Sequence, residues 1–505
     1  MPRENRYTSG PAIVLYIAAA KFAFHLATAG RYGIFRDELY YFACAEHLDW
    51  GYVDQPPLVA FIAWIARHIF GDWLIGLRLI PALAGAATVW LSGKLAREFG
   101  GQRFGQAMAA FGVAVVPMCI VVHHWLTMNA FEPLIWLACA WCVARAIDRD
   151  QPRYFIWFGV LVGLGLENKY TTGFFAVAIV IGLALSRWRR FLLTREFWLG
   201  VAVAALIFAP NFIWLVKHHF PFLELMHNIR QTNRDIVRSP LPFVLDQIQI
   251  LNPVLAPLWI AGLVWLLRTR FRALGFTYLV LLVTFIALRG KNYYLAPVYP
   301  ILFAASGRAF EKITLTRARW TRPVYIGVIV ISTALLVPIF APILSPETFI
   351  AYQHKLGIEP PKTENQNNGP LPQYFADEFG WEDMVRETAR VFHALPPNEQ
   401  SRTAIFANGY GEAAAVDFFG PRYGLPKSIS GHQSYWLWGP GDYDGSIMII
   451  LRTNGRGDRE HFATVEKVGR VEHPYSRRDE WFDVFLCRDL KTNLRDAWPT
   501  VKHWD

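Results

Sequence analysis

The sequence predicts a polytopic α-helical membrane protein that carries a C-terminal extracytoplasmic α/β domain. Residues 11–344 hold repeated apolar runs of about 17–25 residues, the length that crosses a hydrocarbon core. These runs stop after Ser345. Basic clusters fall on alternate connections between the runs, which marks those connections as cytoplasmic. Of the 505 residues, 53% are hydrophobic and 18% are charged. A soluble domain carries about 25% charge, so a large soluble protein with buried helices is disfavoured. The expected division is a membrane domain over 1–344, with an interfacial loop at 31–71, followed by an α/β domain over 345–505.

Arg3 and Arg6 precede the first apolar run, as they would in a secretory leader. The run from Pro11 to Ala29 is longer than a leader core and further runs follow, so it reads as a retained first helix. Roughly eleven spans are expected, at 11–30, 72–97, 104–122, 127–147, 154–170, 171–186, 197–217, 250–268, 273–289, 293–311 and 322–344. The fifth and sixth run together around Lys169. The basic clusters include Lys94, Arg97 and Arg103; Arg145, Arg149 and Arg153; Arg187, Arg189, Arg190 and Arg195; and Arg308, Lys312, Arg317, Arg319 and Arg322. They predict a cytoplasmic N-terminus and an extracytoplasmic tail. The net charge of +10 is thereby explained by membrane topology and does not call for nucleic acid.

The loop 31–71 is rich in Tyr, Phe and Trp. Asp37, Tyr40 and Tyr41 share a helical face at i, i+3 and i+4 spacing, which fits a short helix at the bilayer surface. Pro56-Pro57 stops the chain, and Leu58–Phe70 reads as a second interfacial helix, too short to span. In the tail, Pro360 to Pro372 reads as a linker. A helix at 378–394 follows, then strands at Thr403–Ala407, Lys427–Ser430, Ser446–Arg452 and Trp481–Arg488, with a helix at Gly411–Phe419. Alternating strands and helices indicate a small α/β domain. Cys44, Cys119, Cys139, Cys142 and Cys487 form no disulfide framework or zinc spacing.

The unusual polar residues gather on the extracytoplasmic connections. Asp37 and Glu38 follow the first span, where a carboxylate is costly unless it lines a wet cavity. They read as a general base or as a capping pair. Asp54 either reacts or orders its loop. Glu132 lies within the first turns of a span and needs a counter-charge. Arg78, Lys169 and Lys291 are cations at the outer edge, where the charge rule does not expect them. Their alternatives are snorkelling to the interface or an anionic ligand such as a lipid phosphate. His123-His124 and His218-His219 also face outward, but adjacent histidines point different ways on a helix. Asn408-Gly409-Tyr410-Gly411-Glu412 reads equally as a substrate loop or as a turn feeding a helix.

Several of these pieces together resemble the GT-C glycosyltransferases that use polyprenyl-phosphate sugars. They are Phe35-Arg36-Asp37-Glu38-Leu39-Tyr40-Tyr41, Gly51-Tyr52-Val53-Asp54-Gln55-Pro56-Pro57-Leu58, Leu77-Arg78-Leu79-Ile80-Pro81, Met128-Asn129-Ala130-Phe131-Glu132, Gly165-Leu166-Glu167-Asn168-Lys169-Tyr170 and Lys291-Asn292-Tyr293-Tyr294-Leu295-Ala296-Pro297. Within that class the sequence is similar to the bacterial family-39-like branch: protein O-mannosyltransferases, lipid A aminoarabinose transferase and lipopolysaccharide galacturonosyltransferases. The likeness covers roughly residues 10–310. A subset of these bacterial proteins also resembles the tail, through Tyr410-Gly411-Glu412-Ala413-Ala414 and Ser430-Gly431-His432-Gln433-Ser434-Tyr435-Trp436.

The resemblance implies a bacterial inner-membrane enzyme. Asp37 is its proposed base, with Glu38 beside it. Glu132 stands where relatives often have Asp, and Lys169 matches a lysine near the donor phosphate. Glu167 stands where many relatives have a small or apolar residue, and would tune the lysine or bind a cation. Arg78 and Lys291 join Lys169 as phosphate-binding cations. Arg36, Tyr40, Tyr41, Asp54, Asn129 and Tyr294 are expected to bind substrate. No cofactor is required, and a divalent cation stays an option. The expected partners are a polyprenyl-phosphate sugar donor, an extracytoplasmic lipid, glycan or protein acceptor, and membrane lipids. A transporter or lipid flippase would instead place charge near the bilayer midplane and show internal repeats. A non-catalytic envelope-lipid binding protein is the other alternative.

Overall fold

The computed structural model describes residues 6–315, 318–359, 364–365, 367, 369–452 and 458–505. Arg3, Arg317 and part of the expected Pro360–Pro372 linker lie outside the described residues. The chain divides into two compact units, each built from three segments. The first comprises Met1–Arg31, Phe70–Trp214 and Val237–Ile343; the second comprises Tyr32–Ile69, Leu215–Ile236 and Leu344–Asp505. The loop 31–71, assigned by sequence to the membrane part, thus belongs by its packing with the tail.

The first unit is helical, and each expected span is a helix or a broken helix. Five helices are long and apolar enough to cross a membrane: Gly10–Thr28, Leu74–Glu98, Met128–Arg149, Arg195–Lys217 and Thr321–Phe340. Counting the two bent pairs as spans gives up to seven among the described residues, against the eleven expected. Part of the difference lies in length, since Tyr154–Asn168 and Arg272–Ala287 are apolar but shorter, and part in continuity. The span expected at 104–122 breaks at Val116, whose extended backbone precedes Pro117, the conformation proline imposes on its neighbour. The pair Thr171–Ala184 and Arg187–Leu193 is bent by 119°, and Pro240–Ile250 with Pro253–Arg268 by 94°.

Met128–Arg149 is central, with 72% of its apolar window buried, whereas Thr321–Phe340 is peripheral at 17%. Small residues let the backbones approach closely. A Cβ at Gly159 would lie 2.0 Å from the Gly200 carbonyl oxygen, so no larger residue fits there.

In the second unit a five-stranded sheet is formed by β1 (Thr403–Ala407), β2 (Ser428–Ile429), β3 (Ile447–Arg452), β4 (Phe462–Val471) and β5 (Phe482–Leu490), in the order β2-β1-β3-β5-β4. β1 lies parallel to β2 and β3, and β5 is antiparallel to β3 and β4. β1 and the Ile-rich β3 are buried, as strands covered on both faces must be. β4 was not expected from the sequence. It is an edge strand with charged, exposed positions and an irregularity between Lys467 and Gly469, which together erase the alternation that betrays a strand. Helices Trp381–His393 and Tyr410–Phe419 complete the tail part, close to the positions expected.

Two helices of the 32–69 segment pack in this unit, Arg36–Glu46 and Leu58–Phe70, the latter with the expected bounds. The Arg36 N–H donates to the Asp377 carbonyl (3.0 Å), Lys427 pairs with Glu46 (2.6 Å), and Arg67 pairs with the same carboxylate (2.7 Å).

Candidate active site

Each unit holds one cluster of the expected residues. In the second unit, Pro- and Gly-free sequence from Arg36 starts a helix whose first turn carries Asp37 and Glu38. Carboxylates in that turn are favoured by the helix dipole. Their fates differ. Glu38 is fully buried, and its Oε2 accepts the Phe35 N–H at 3.0 Å, closing the helix start. This contact matches the capping alternative that the sequence left open for Glu38.

Asp37 stays 33% exposed; its Oδ1 accepts the Tyr410 hydroxyl at 2.8 Å, and Arg36 Nε lies 4.0 Å away. Burial pushes its carboxyl above the usual value. Arg36 and the Tyr410 hydrogen bond pull the other way, and Asp377 and Glu364 add to the rise.

Tyr40 is one turn further along the helix. Its hydroxyl lies within hydrogen-bond distance of Asp54 Oδ1 (3.0 Å) and Ser434 Oγ (2.8 Å), and the Val53 N–H donates to the same serine (3.2 Å). Tyr40 and Tyr41 are both buried. Burial pushes the Asp54 carboxyl to about 7 despite the Tyr40 bond, with Asp37 contributing in the same direction. Arg36 also approaches Glu480 (Nη1–Oε1, 3.8 Å), and Arg477 pairs with both Asp377 (2.8 Å) and Glu480. The expected residues Arg36, Asp37, Tyr40, Tyr41 and Asp54 are therefore brought together. Tyr410, from the stretch that reads equally as a substrate loop or a turn, joins them, as do His432 and Ser434 of the tail motif; Asp377 and Arg477 were not singled out.

The first unit assembles the second cluster where two helices break. Tyr154–Asn168 ends at Lys169, whose extended backbone leads into Thr171–Ala184. The Lys169 ammonium donates to Asn129 Oδ1 (2.7 Å) and Glu132 Oε2 (3.2 Å), and lies 5.1 Å from the centre of the Tyr294 ring. Glu132 is almost fully buried, and its other oxygen accepts the Thr171 hydroxyl. The buried carboxylate thus has the counter-charge it requires. Thr171 was missed by the sequence reading.

Arg78, also buried, donates to the Ala29 carbonyl (2.9 Å) and meets His124 Nε2 at 3.3 Å. Lys291 caps the 3₁₀ turn Asn292–Val298. Glu167 is buried with neither carboxylate oxygen hydrogen-bonded. Among the described residues no group of three or more His, Cys, Asp and Glu side chains converges as metal ligands.

The fold is that of the polytopic membrane glycosyltransferases of the GT-C type, as the motif resemblance implied. The structure of ArnT from Cupriavidus metallidurans superposes with a TM-score of 0.58 at 15% identity, covering 94% of this chain and 97% of ArnT. The same enzyme bound to undecaprenyl phosphate gives 0.57, again at 15% identity and with the same coverage. The family model for dolichyl-phosphate-mannose-protein mannosyltransferases matches residues 54–214. By sequence the chain is 25% identical to lipid A galacturonosyltransferase RgtD of Rhizobium johnstonii over 231 residues, covering 45% of this chain and 48% of RgtD. It is 29% identical over 185 residues to undecaprenyl phosphate-α-4-amino-4-deoxy-L-arabinose arabinosyl transferase 1 of Pseudomonas fluorescens, covering 34% of this chain and 30% of that enzyme. The chain thus spans half or less of the length of the curated relatives it matches.

Proposed function

We propose that the protein is an inner-membrane glycosyltransferase that moves a sugar from a polyprenyl-phosphate carrier to an extracytoplasmic acceptor of the cell envelope. The observation that carries this reading is Asp37. It is a part-exposed carboxylate at a helix start, held by the Tyr410 hydroxyl and flanked by Arg36, and burial moves its proton affinity toward neutrality. A general base works best when its pKa lies near the working pH.

In this reading Asp37 takes the proton of the acceptor hydroxyl as that oxygen bonds to the anomeric carbon. The bond from that carbon to the lipid phosphate breaks on the opposite face, so the configuration inverts. The lipid phosphate leaves with an added negative charge. Lys169, Arg78 and Lys291 stabilise that charge, so the leaving group needs no general acid. Glu132 and Asn129 hold the Lys169 ammonium in place, giving Glu132 an orienting role. The extracytoplasmic setting follows from the basic clusters on alternate connections, and a lipid-linked donor reaches the site by lateral diffusion. The relatives named above and the undecaprenyl phosphate held by ArnT support this donor class.

The test uses purified protein in nanodiscs with undecaprenyl-phosphate donors bearing galacturonic acid or 4-amino-4-deoxy-L-arabinose, and lipid A as acceptor. Asp37→Asn is expected to lower transfer by about 10²–10⁴. Full transfer by that variant would remove the assigned base.

A further inference from the structure

We propose that Tyr410, supplied by the tail, is the positioning residue of Asp37, and that His432 holds Tyr410 in register. The proposal rests on the reading of Asp37 as the base. Tyr410 opens the helix Tyr410–Phe419 and is 8% exposed. Its ring packs on Tyr40 with centroids 4.7 Å apart, and the Arg36 guanidinium lies 5.1 Å from its centre. These contacts aim the hydroxyl at Asp37 Oδ1, 2.8 Å away.

The backbone side of the same residue is fixed as well. The Tyr410 N–H donates to His432 Nδ1 at 3.1 Å. A nitrogen that accepts cannot carry the ring proton, so the proton of the neutral ring sits on Nε2. That nitrogen faces Asp505, whose Oδ1 and backbone carbonyl oxygen are each 3.4 Å away. His432 also stacks on His503 at 4.7 Å, and His503 Nε2 meets the Asn408 carbonyl at 2.8 Å. Both sides of the Asn408–Tyr410 turn are therefore tied to the strap 501–505.

The chemical effect is specific. A phenol that donates to a carboxylate stabilises its charged form and fixes its orientation, whereas a phenylalanine ring in the same place does neither. Tyr410 therefore keeps Asp37 ionised against the burial that raises its proton affinity. The other charged or titratable groups facing Asp37 are Arg36 and Tyr41 on its own helix, Asp54 from the following loop, and Glu364 and Asp377 from the tail. Only Arg36 among these five favours the carboxylate, and its Nε stands at 4.0 Å.

The experiment follows the Asp37 carboxyl by pH-difference infrared spectroscopy on the full chain in nanodiscs, with the band assigned by its loss in Asp37→Asn. Tyr410→Phe is expected to raise the Asp37 midpoint by about one unit, and to move the acidic limb of the transfer profile upward with it. At a pH below the midpoint that is roughly tenfold less ionised base. His432→Ala is expected to move the midpoint the same way by less, and it decides the matter if Tyr410→Phe does not fold. An unchanged midpoint in the folded variant overturns the proposal. Full transfer by Asp37→Asn overturns the base assignment instead, while the infrared result still reports on the Tyr410–Asp37 bond.

Discussion

Glu38 and Asp37 are neighbours in sequence and sit in different chemistry because a helix turns them about 100° apart. Glu38 satisfies the Phe35 N–H at full burial. Glu38→Ala leaves that donor without the carboxylate, and should cost about 1–3 kcal/mol, read as a lower Tm, while Glu38→Gln recovers much of it. Lys169 offers the converse case. Lys169→Met would strand the buried Glu132, so the expected results are a lower Tm and loss of undecaprenyl phosphate binding in a calorimetric titration. The sequence made Asp37, Glu132 and Lys169 conspicuous because each places a charge in apolar surroundings. It concealed Thr171 and the contacts of Tyr410 and Ser434, because a hydroxyl looks ordinary until its partner is known. The acceptor of Tyr410 and the donors to Ser434 come from parts of the chain far away in sequence.

At the scale of elements, apolar runs made the spanning helices of the first unit legible, since length and hydropathy suffice for that, whereas Pro240–Ile250 fell between expected spans. Their interruptions were less legible. A break such as Val116-Pro117 leaves hydropathy unchanged while ending the hydrogen-bond ladder. In the tail, the apolar β1 and β3 were readable and the charged edge strand β4 was not. The segment preceding His432 gives an element-scale prediction. A Cβ at Gly431 would lie 1.9 Å from the Val501 carbonyl oxygen, and the His503 N–H donates to the Gly431 carbonyl at 3.0 Å. Backbone cannot step aside as a side chain does. Gly431→Ala should therefore cost about 1–3 kcal/mol and speed hydrogen exchange selectively across 498–505.

For the molecule as a whole, pH and stability are linked through carboxyls whose proton affinity is raised by burial. Asp54, at about 7 in the folded chain, has an unfolded value of about 3.9. Between those values the folded form binds the proton more tightly, so stability falls as pH rises through the window and levels off above about 7. Asp54→Asn lacks this term. The difference in Tm between the variant and the natural protein should grow in the variant's favour from pH 4 to pH 7, and a constant difference would show that Asp54 does not titrate there. Asp37 acts in the same direction. The sequence showed these carboxyls but not their environments, because the second unit is assembled from three separate stretches of chain.

That discontinuity sets a timetable for biogenesis. Tyr410 follows Asp37 by 373 residues, and at about 5–20 residues per second the ribosome needs roughly 20–75 s to travel between them. Throughout that interval the first loop is already made while its tail counterpart does not yet exist. A nascent or truncated chain would carry the base without the group that orients it. On the reading proposed for Asp37, transfer would switch on only once Tyr410 has folded onto the first loop.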